Sequence, residues 1–198
     1  MSWENLELET YEFDDHKHYK KFVNVTKSII RKTVEYNTWV NYIKYSLGYN
    51  YCSFTREVSS EVTIDLHHHP ISLENIVRMV IDKMLITEGK VTTLDVAKHV
   101  LKLHYDNNVG YILLARTIHE KFHNGFLKIP IEFVHGNWTY LLENYPVDEE
   151  IRETIDKYVS VKLEDVKEEY GERGYTWSRD NYVITEGIDW CYKKLKKW

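Results

Sequence analysis

The sequence of 198 residues predicts an α+β fold that is predominantly helical. Most segments carry apolar residues at spacings of three and four, which is the pattern of an amphipathic helix. One short run differs, because Val62, Ile64 and Leu66 alternate with polar residues as in a half-buried strand. A hydrophobic content of 43% and only three prolines suit a globular chain with one good core.

Four helical regions are predicted in the first two thirds of the chain from their apolar faces. They cover residues 15–46 (in two segments), 72–84, 92–104 and 111–123. The second segment of the first region is expected to begin at Asn37 or Thr38, either of which can cap it. Ser72 caps the next helix, and Thr92 with Asp95 forms a capping box for the one after it.

Extended structure is predicted in three places. Residues 5–13 alternate as a short strand or arm, and residues 126–133 form an edge strand or extended segment broken by Pro130. The strand that ends on His67 and His68 is expected to be the second arm of a hairpin whose first arm lies near residues 51–55. Further helices are predicted to begin near residues 146, 163 and 185.

The charge balance bears on the kind of partner. The net charge is −5, and the first 15 residues hold several acidic side chains but no Lys or Arg. Proteins that gain their affinity mainly by neutralising phosphates are usually basic. The composition therefore speaks against simple nucleic-acid binding and favours a basic protein partner for the acidic arm.

Targeting and redox features point to the cytoplasm. No apolar run reaches the roughly 18 residues that a membrane span needs, and the acidic N-terminus does not resemble a signal or transit peptide. The two cysteines provide neither a disulfide framework nor a four-cysteine zinc site. We expect a protein of a reducing compartment with no membrane association.

Histidines form two clusters that can supply a metal site. His67, His68 and His69 are consecutive at the end of the alternating strand, and His119 and His123 stand four residues apart on a helix. Neutral imidazole is a good ligand for divalent transition metals, and an i, i+4 pair presents both rings on one helix face. A third ligand from the strand would leave an open coordination position for water or phosphate.

These residues resemble the HNH superfamily of ββα-metal (His-Me finger) endonucleases, and the colicin-type nucleases most closely. The similar segments are Ile64-Asp65-Leu66-His67-His68 and the stretch from Ile112 to Gly125. The resemblance implies a small ββα-metal core in which His67, His119 and His123 ligate one divalent ion, either Mg, Mn, Ni or Zn. It also implies that His68 is the general base that activates water against a DNA phosphodiester.

Several positions depart from the family pattern. The family's central Asn falls on Gly110, and its two CxxC pairs are absent, so that no structural zinc is expected. Only Cys52 remains of the first pair. We interpret His69, which precedes Pro70, as a turn residue and Asp65 as an exposed strand position.

The resemblance also organises the chain into regions. An acidic arm with N-terminal helices covers residues 1–48, and the ββα core covers residues 49–127 with a two-helix insertion at 72–105. A C-terminal helical region covers residues 128–198. We expect these regions to form one compact unit.

Two functions follow as hypotheses. The first is a metal-dependent endonuclease whose DNA lies against basic side chains, namely Arg116, Lys121, Lys98, Lys102 and Lys128. The second is a catalytically degenerate relative that binds or inhibits a basic or nucleic-acid-processing protein through its acidic surface. The composition also resembles accessory proteins of large bacteriophages, which would place the protein in the host cytoplasm.

Overall fold

The computed structural model describes residues 5–9, 16–54, 60 and 62–162. Within these residues it contains seven α-helices and two two-stranded antiparallel sheets. The predicted α+β, predominantly helical fold class is confirmed. None of the described helices is both long enough and apolar enough to cross a membrane.

The chain divides into two compact units that interleave along the sequence. The first unit combines Met1–Tyr42, Ile71–Gly110 and Gly136–Arg152, and the second combines Ile43–Pro70, Tyr111–His135 and Glu153–Trp198. The predicted regions 1–48, 49–127 and 128–198 follow chain order instead. Each observed unit therefore gathers three separate stretches of sequence.

Helices dominate the first unit. Helix α1 (His16–Lys32), α3 (Leu73–Glu88) and α4 (Thr93–Tyr105) pack against one another, and α2 (Val34–Asn41) packs against α4. Helix α6 (Thr139–Asn144) is shorter. The core between the helices is made of fully buried apolar side chains, among them Phe22, Ile30, Ile76, Val80, Val96 and Val100.

The helix caps agree with the sequence in two cases and differ in a third. The Ser72 hydroxyl accepts a hydrogen bond from the Asn75 amide at 3.1 Å, and Thr92 accepts one from the Asp95 amide at 3.2 Å. Both predicted caps are confirmed. Helix α2 instead begins at Thr33, whose hydroxyl accepts from the Tyr36 amide, so the predicted start at Asn37 or Thr38 is wrong.

A small sheet lies at one end of α4. Strand β1 (Glu7–Glu9) pairs antiparallel with β3 (Lys90–Thr92), with Leu8 opposite Val91. The Thr93 amide donates to the Leu6 carbonyl at 2.9 Å and continues the pairing into the first turn of α4. The extended prediction for residues 5–13 is confirmed over β1, and residues 10–13 lie outside the described part.

The second sheet lies within the second unit. Strand β2 (Ile64–His68) pairs antiparallel with β4 (Tyr111–Ala115), and α5 (Arg116–His123) follows β4 without a loop. The predicted partner of β2, residues 51–55, is wrong, because the Ser53 amide donates to the Leu113 carbonyl of β4 at 2.8 Å. Strand β4 therefore occupies the edge that the hairpin prediction assigned to residues 51–55.

The predicted helix over residues 111–123 is wrong in its first five residues. Tyr111–Ala115 form β4, and all five side chains are buried. A continuous apolar run of this length suits a strand covered on both faces as well as it suits a buried helix. Burial and pairing with β2 decide for the strand, so the helix begins only at Arg116.

Residues 124–138, between α5 and α6, are mostly irregular. Of the two alternatives predicted for residues 126–133, the edge strand is wrong, because no strand forms there. Residues 127–130 have no regular structure, and Ile131–Phe133 form a 3-10 turn. Helix α7 (Glu149–Val159) begins close to the predicted position, with the Asp148 carboxylate accepting from the Ile151 amide at 2.8 Å. The helices predicted near 163 and 185 lie outside the described residues.

Candidate metal centre

Three imidazole nitrogens converge in the second unit. Nδ1 of His67 lies 3.0 Å from Nε2 of His119, which lies 2.9 Å from Nε2 of His123. The three donor atoms all lie within 4.8 Å of one another. This is the predicted ligand set, and its chemistry fits a divalent ion, since structural and catalytic zinc sites use imidazole nitrogens in this way.

The two elements that carry the ligands are fixed by the sheet. The antiparallel register sets His67 opposite Ile112 in β4, and α5 folds back over the same sheet. The Arg116 amide donates to the Thr63 carbonyl at 3.0 Å and anchors the start of α5 beside β2. Ile118 is buried on one face of α5, which leaves the face with His119 and His123 directed toward His67.

The surroundings favour the neutral form of two ligands, His67 and His123. Burial, together with charge repulsion from the neighbouring His119, His69 and His123, lowers the pKa of His67 to about 3. Burial and His119 also lower the pKa of His123. Neutral imidazoles retain the lone pair that a metal ion needs, so protons compete weakly for these nitrogens at neutral pH.

Asp65 contacts the metal centre through one of the three ligands, His119. Its Oδ2 lies 3.3 Å from Nδ1 of His119 and 3.7 Å from Nε of Arg116. A neutral His119 that donates from Nδ1 to this carboxylate keeps its lone pair on Nε2, which faces the other ligands. The interpretation of Asp65 as an exposed strand position is wrong, since the side chain is partly buried and bound to a ligand.

His68 occupies a different position from His67. It is the last residue of β2, is paired with Tyr111 and is only 8% exposed. Successive side chains of a strand alternate between its two faces, so His68 does not share the face of His67. The group of converging donors in the described residues does not include His68. Its role as general base stays a prediction.

The ring of His69 lies 6.1 Å from the ring of His67 between centroids, and the residue is 1% exposed. Its ring lies 4.7 Å from the ring of Tyr158 and 5.6 Å from that of Phe122, measured between centroids. In the described part of the chain, its buried Nε2 has no hydrogen-bond partner, and burial lowers the pKa of the ring to about 4. His69 immediately follows β2 and is a buried neighbour of the centre.

The predicted substrate-binding cations are divided between the two units. Arg116 and Lys121 lie on α5 with two of the ligands, and Arg116 forms an ion pair with Asp65. Lys98 and Lys102 lie on α4 in the first unit and pair with Asp95 and Asp106. Lys128 follows α5 and is exposed.

The chain was compared with known proteins. No curated protein and no solved structure matches it. The model of the bacteriophage G278-like virion protein family matches residues 3–182. This match spans both units, and it confirms the expectation of a bacteriophage protein. The chain therefore belongs to the bacteriophage G278-like virion protein family.

Proposed function

We propose that this chain binds one divalent metal ion through His67, His119 and His123 and hydrolyses DNA phosphodiester bonds. The observation that carries the proposal is the convergence of the three imidazole nitrogens within 4.8 Å. The support for a nuclease is the local arrangement, in which two antiparallel strands are followed directly by the helix with two ligands. That order is similar to the catalytic unit of HNH-type endonucleases.

Four residues would form the metal site, three as ligands and one as a positioning residue. His67, His119 and His123 would hold the ion, and Asp65 would keep His119 in the tautomer that presents Nε2. When bound, the ion would supply Lewis-acid stabilisation of the charge that develops on phosphate oxygens. Three protein ligands leave coordination positions open, as hydrolytic sites require.

His68 is the proposed general base. It would take a proton from a water molecule whose oxygen forms the new bond to phosphorus, while the bond from phosphorus to the leaving sugar oxygen breaks. The position of His68 at the very end of β2 places it next to a ligand in sequence.

The test combines metal content with plasmid nicking. We expect the purified chain to bind one Mg, Mn, Ni or Zn ion and to nick supercoiled plasmid, and we expect His119→Ala to lose both properties. The His68→Ala variant should keep the metal and lose nicking by about 100-fold or more, because general-base catalysis contributes on that order. His18→Gln, a histidine change on α1, serves as the matched control and should behave like the wild type.

Two results would overturn the nuclease proposal. One is a wild-type chain that binds no metal and gains no thermal stability from added metal. The other is nicking that persists unchanged in His68→Ala and His119→Ala, since the activity would then come from elsewhere.

A second function is favoured by the family itself, whose description is that of a virion protein. The His cluster would then be structural, and the protein would bind a basic or nucleic-acid-processing partner through its acidic surface. Gly110, which lacks the side-chain amide of active HNH enzymes, agrees with this alternative. Metal binding that raises the unfolding temperature without any nicking, together with partner capture that requires residues 1–15, would establish it.

A further inference from the structure

A cleft of about 650 Å³ opens beside the metal centre within the second unit. Its walls come from the end of α5, the irregular stretch that follows it and the last turn of α7. His123 lines the cleft and also belongs to the ligand set. A molecule in the cleft would therefore touch a ligand of the proposed ion.

The lining has a distinct chemical character. Lys128 and Lys157 are its charged residues, and none of the ten lining residues carries a carboxylate. This local cationic surface contrasts with the net charge of −5 of the whole chain. The charges favour an anionic occupant, and the lysines are exposed enough to reach it.

Two aromatic rings complete the cleft. Phe122 and Tyr158 both line it, and their ring centroids lie 5.8 Å apart. Aromatic rings beside cationic side chains form the usual surface for unpaired bases, because each base offers a flat face for stacking while its phosphate meets the lysines. The volume lies within the range of about 300–1,000 Å³ that suits a small-molecule-sized group and is too small for a duplex.

We propose that this cleft binds an unpaired nucleotide of a single-stranded or frayed nucleic acid strand. The base would stack on Tyr158 and Phe122, and the adjoining phosphates would lie against Lys128 and Lys157. This inference deepens the proposed nuclease and rests on it, since it assigns the strand that the metal centre would act upon. It predicts a preference for single-stranded over duplex substrates.

The test measures binding without metal, so that it does not depend on catalysis. Fluorescence anisotropy with a labelled 12-nucleotide oligo-dT would be recorded in EDTA at several salt concentrations. We expect the full chain to bind this probe more tightly than the matched duplex. Lys128→Gln and Lys157→Gln should each weaken binding and reduce the slope of log affinity against log salt by about 0.7.

Two variants of Tyr158 test the contribution of the aromatic rings to oligo-dT affinity. Tyr158→Ala should weaken oligo-dT binding roughly tenfold without changing the salt slope, because stacking is not ionic. Tyr158→Phe keeps the ring and should bind like the wild type, which separates lost stacking from a folding defect. Lys83→Gln on α3 removes the same charge from an exposed position of the first unit and should leave affinity unchanged.

Two results would overturn the inference. In the first, both lysine variants bind oligo-dT with the affinity and salt slope of the wild type. In the second, a polyglutamate peptide binds in a Lys157-dependent way while oligo-dT does not, which would assign the cleft to an acidic protein. If the wild type does not nick plasmid but the oligo-dT binding effects are observed, the nuclease proposal is wrong and the nucleotide-binding cleft is retained.

Discussion

At the residue scale, Asp65 is tied to the metal centre through a single hydrogen bond to His119. Removing a carboxylate that orients a histidine ligand typically lowers metal affinity about 10- to 100-fold. We therefore expect Asp65→Ala to weaken zinc binding by that factor, measured by competition with a chelator. Asp95→Ala on α4 is the control, and an affinity in Asp65→Ala equal to the wild type would exclude the positioning role.

Strand alternation places Asp65 and His67 on one face of β2, so this part of the site was predictable from the sequence alone. The i, i+4 spacing likewise predicted the pair His119 and His123, which the structure brings together with His67. The burial of His69 could not be predicted in the same way. The Pro that follows it is typical of a surface turn, and only contacts with Tyr158 and Phe122, distant in sequence, bury the ring.

His104 provides a pH-dependent prediction in the first unit. The ring is buried, its Nδ1 lies 2.7 Å from the Val100 carbonyl, and Trp39 packs edge-on at 4.7 Å between centroids. Burial lowers its pKa from the ordinary value of 6.5 to about 4. As the pH falls from 6.5 toward 4, His104 therefore becomes protonated in the unfolded chain while it stays neutral in the folded chain.

Between pH 6.5 and pH 4, the titration of His104 should decrease the free energy of unfolding by on the order of 3 kcal/mol. Above pH 6.5, this stability is fully present. Urea denaturation at pH 7, 5.5 and 4.5 measures it. His104→Gln should flatten the pH dependence relative to the wild type. An identical pH profile in the two proteins would assign the acid sensitivity to other groups.

At the element scale, β4 is a strand in a region that the sequence pattern predicted to be helical. Its run from Tyr111 to Ala115 is apolar at every position, so neither a period of two nor a period of 3.6 is visible. Its partner β2 lies on the other side of two helices in the sequence. Local patterns predicted α3 and α4 with their caps, whereas the β2–β4 pair depends on contacts that no local pattern contains.

Strand β4 should carry much of the stability of the second unit. Leu114 is 0% exposed, so Leu114→Ala leaves a cavity and should reduce the free energy of unfolding by about 2–5 kcal/mol. Ile86→Ala on α3 is the matched control, because Ile86 is 74% exposed and should cost less than about 0.5 kcal/mol. Denaturant titration measures both, and equal effects would contradict the buried strand.

At the scale of the whole molecule, composition and local structure favour ligands of opposite charge. A net charge of −5 describes an average over the chain, whereas the cleft beside His123 is lined by two lysines and no carboxylates. The fold class was predictable because it depends on repeated local patterns. The division into two units was not, because it depends on which distant segments pair.

The pairing of β2 with β4 also has a consequence for chain entropy. His67 and His119 are separated by 52 positions, and the intervening stretch Ile71–Gly110 belongs to the other unit. An ion held by both residues would act as a removable cross-link that closes this long loop. Because the β2–β4 pair already closes this loop in the folded chain, the stabilising effect of the ion would depend on the free metal concentration, and a chelator would remove it.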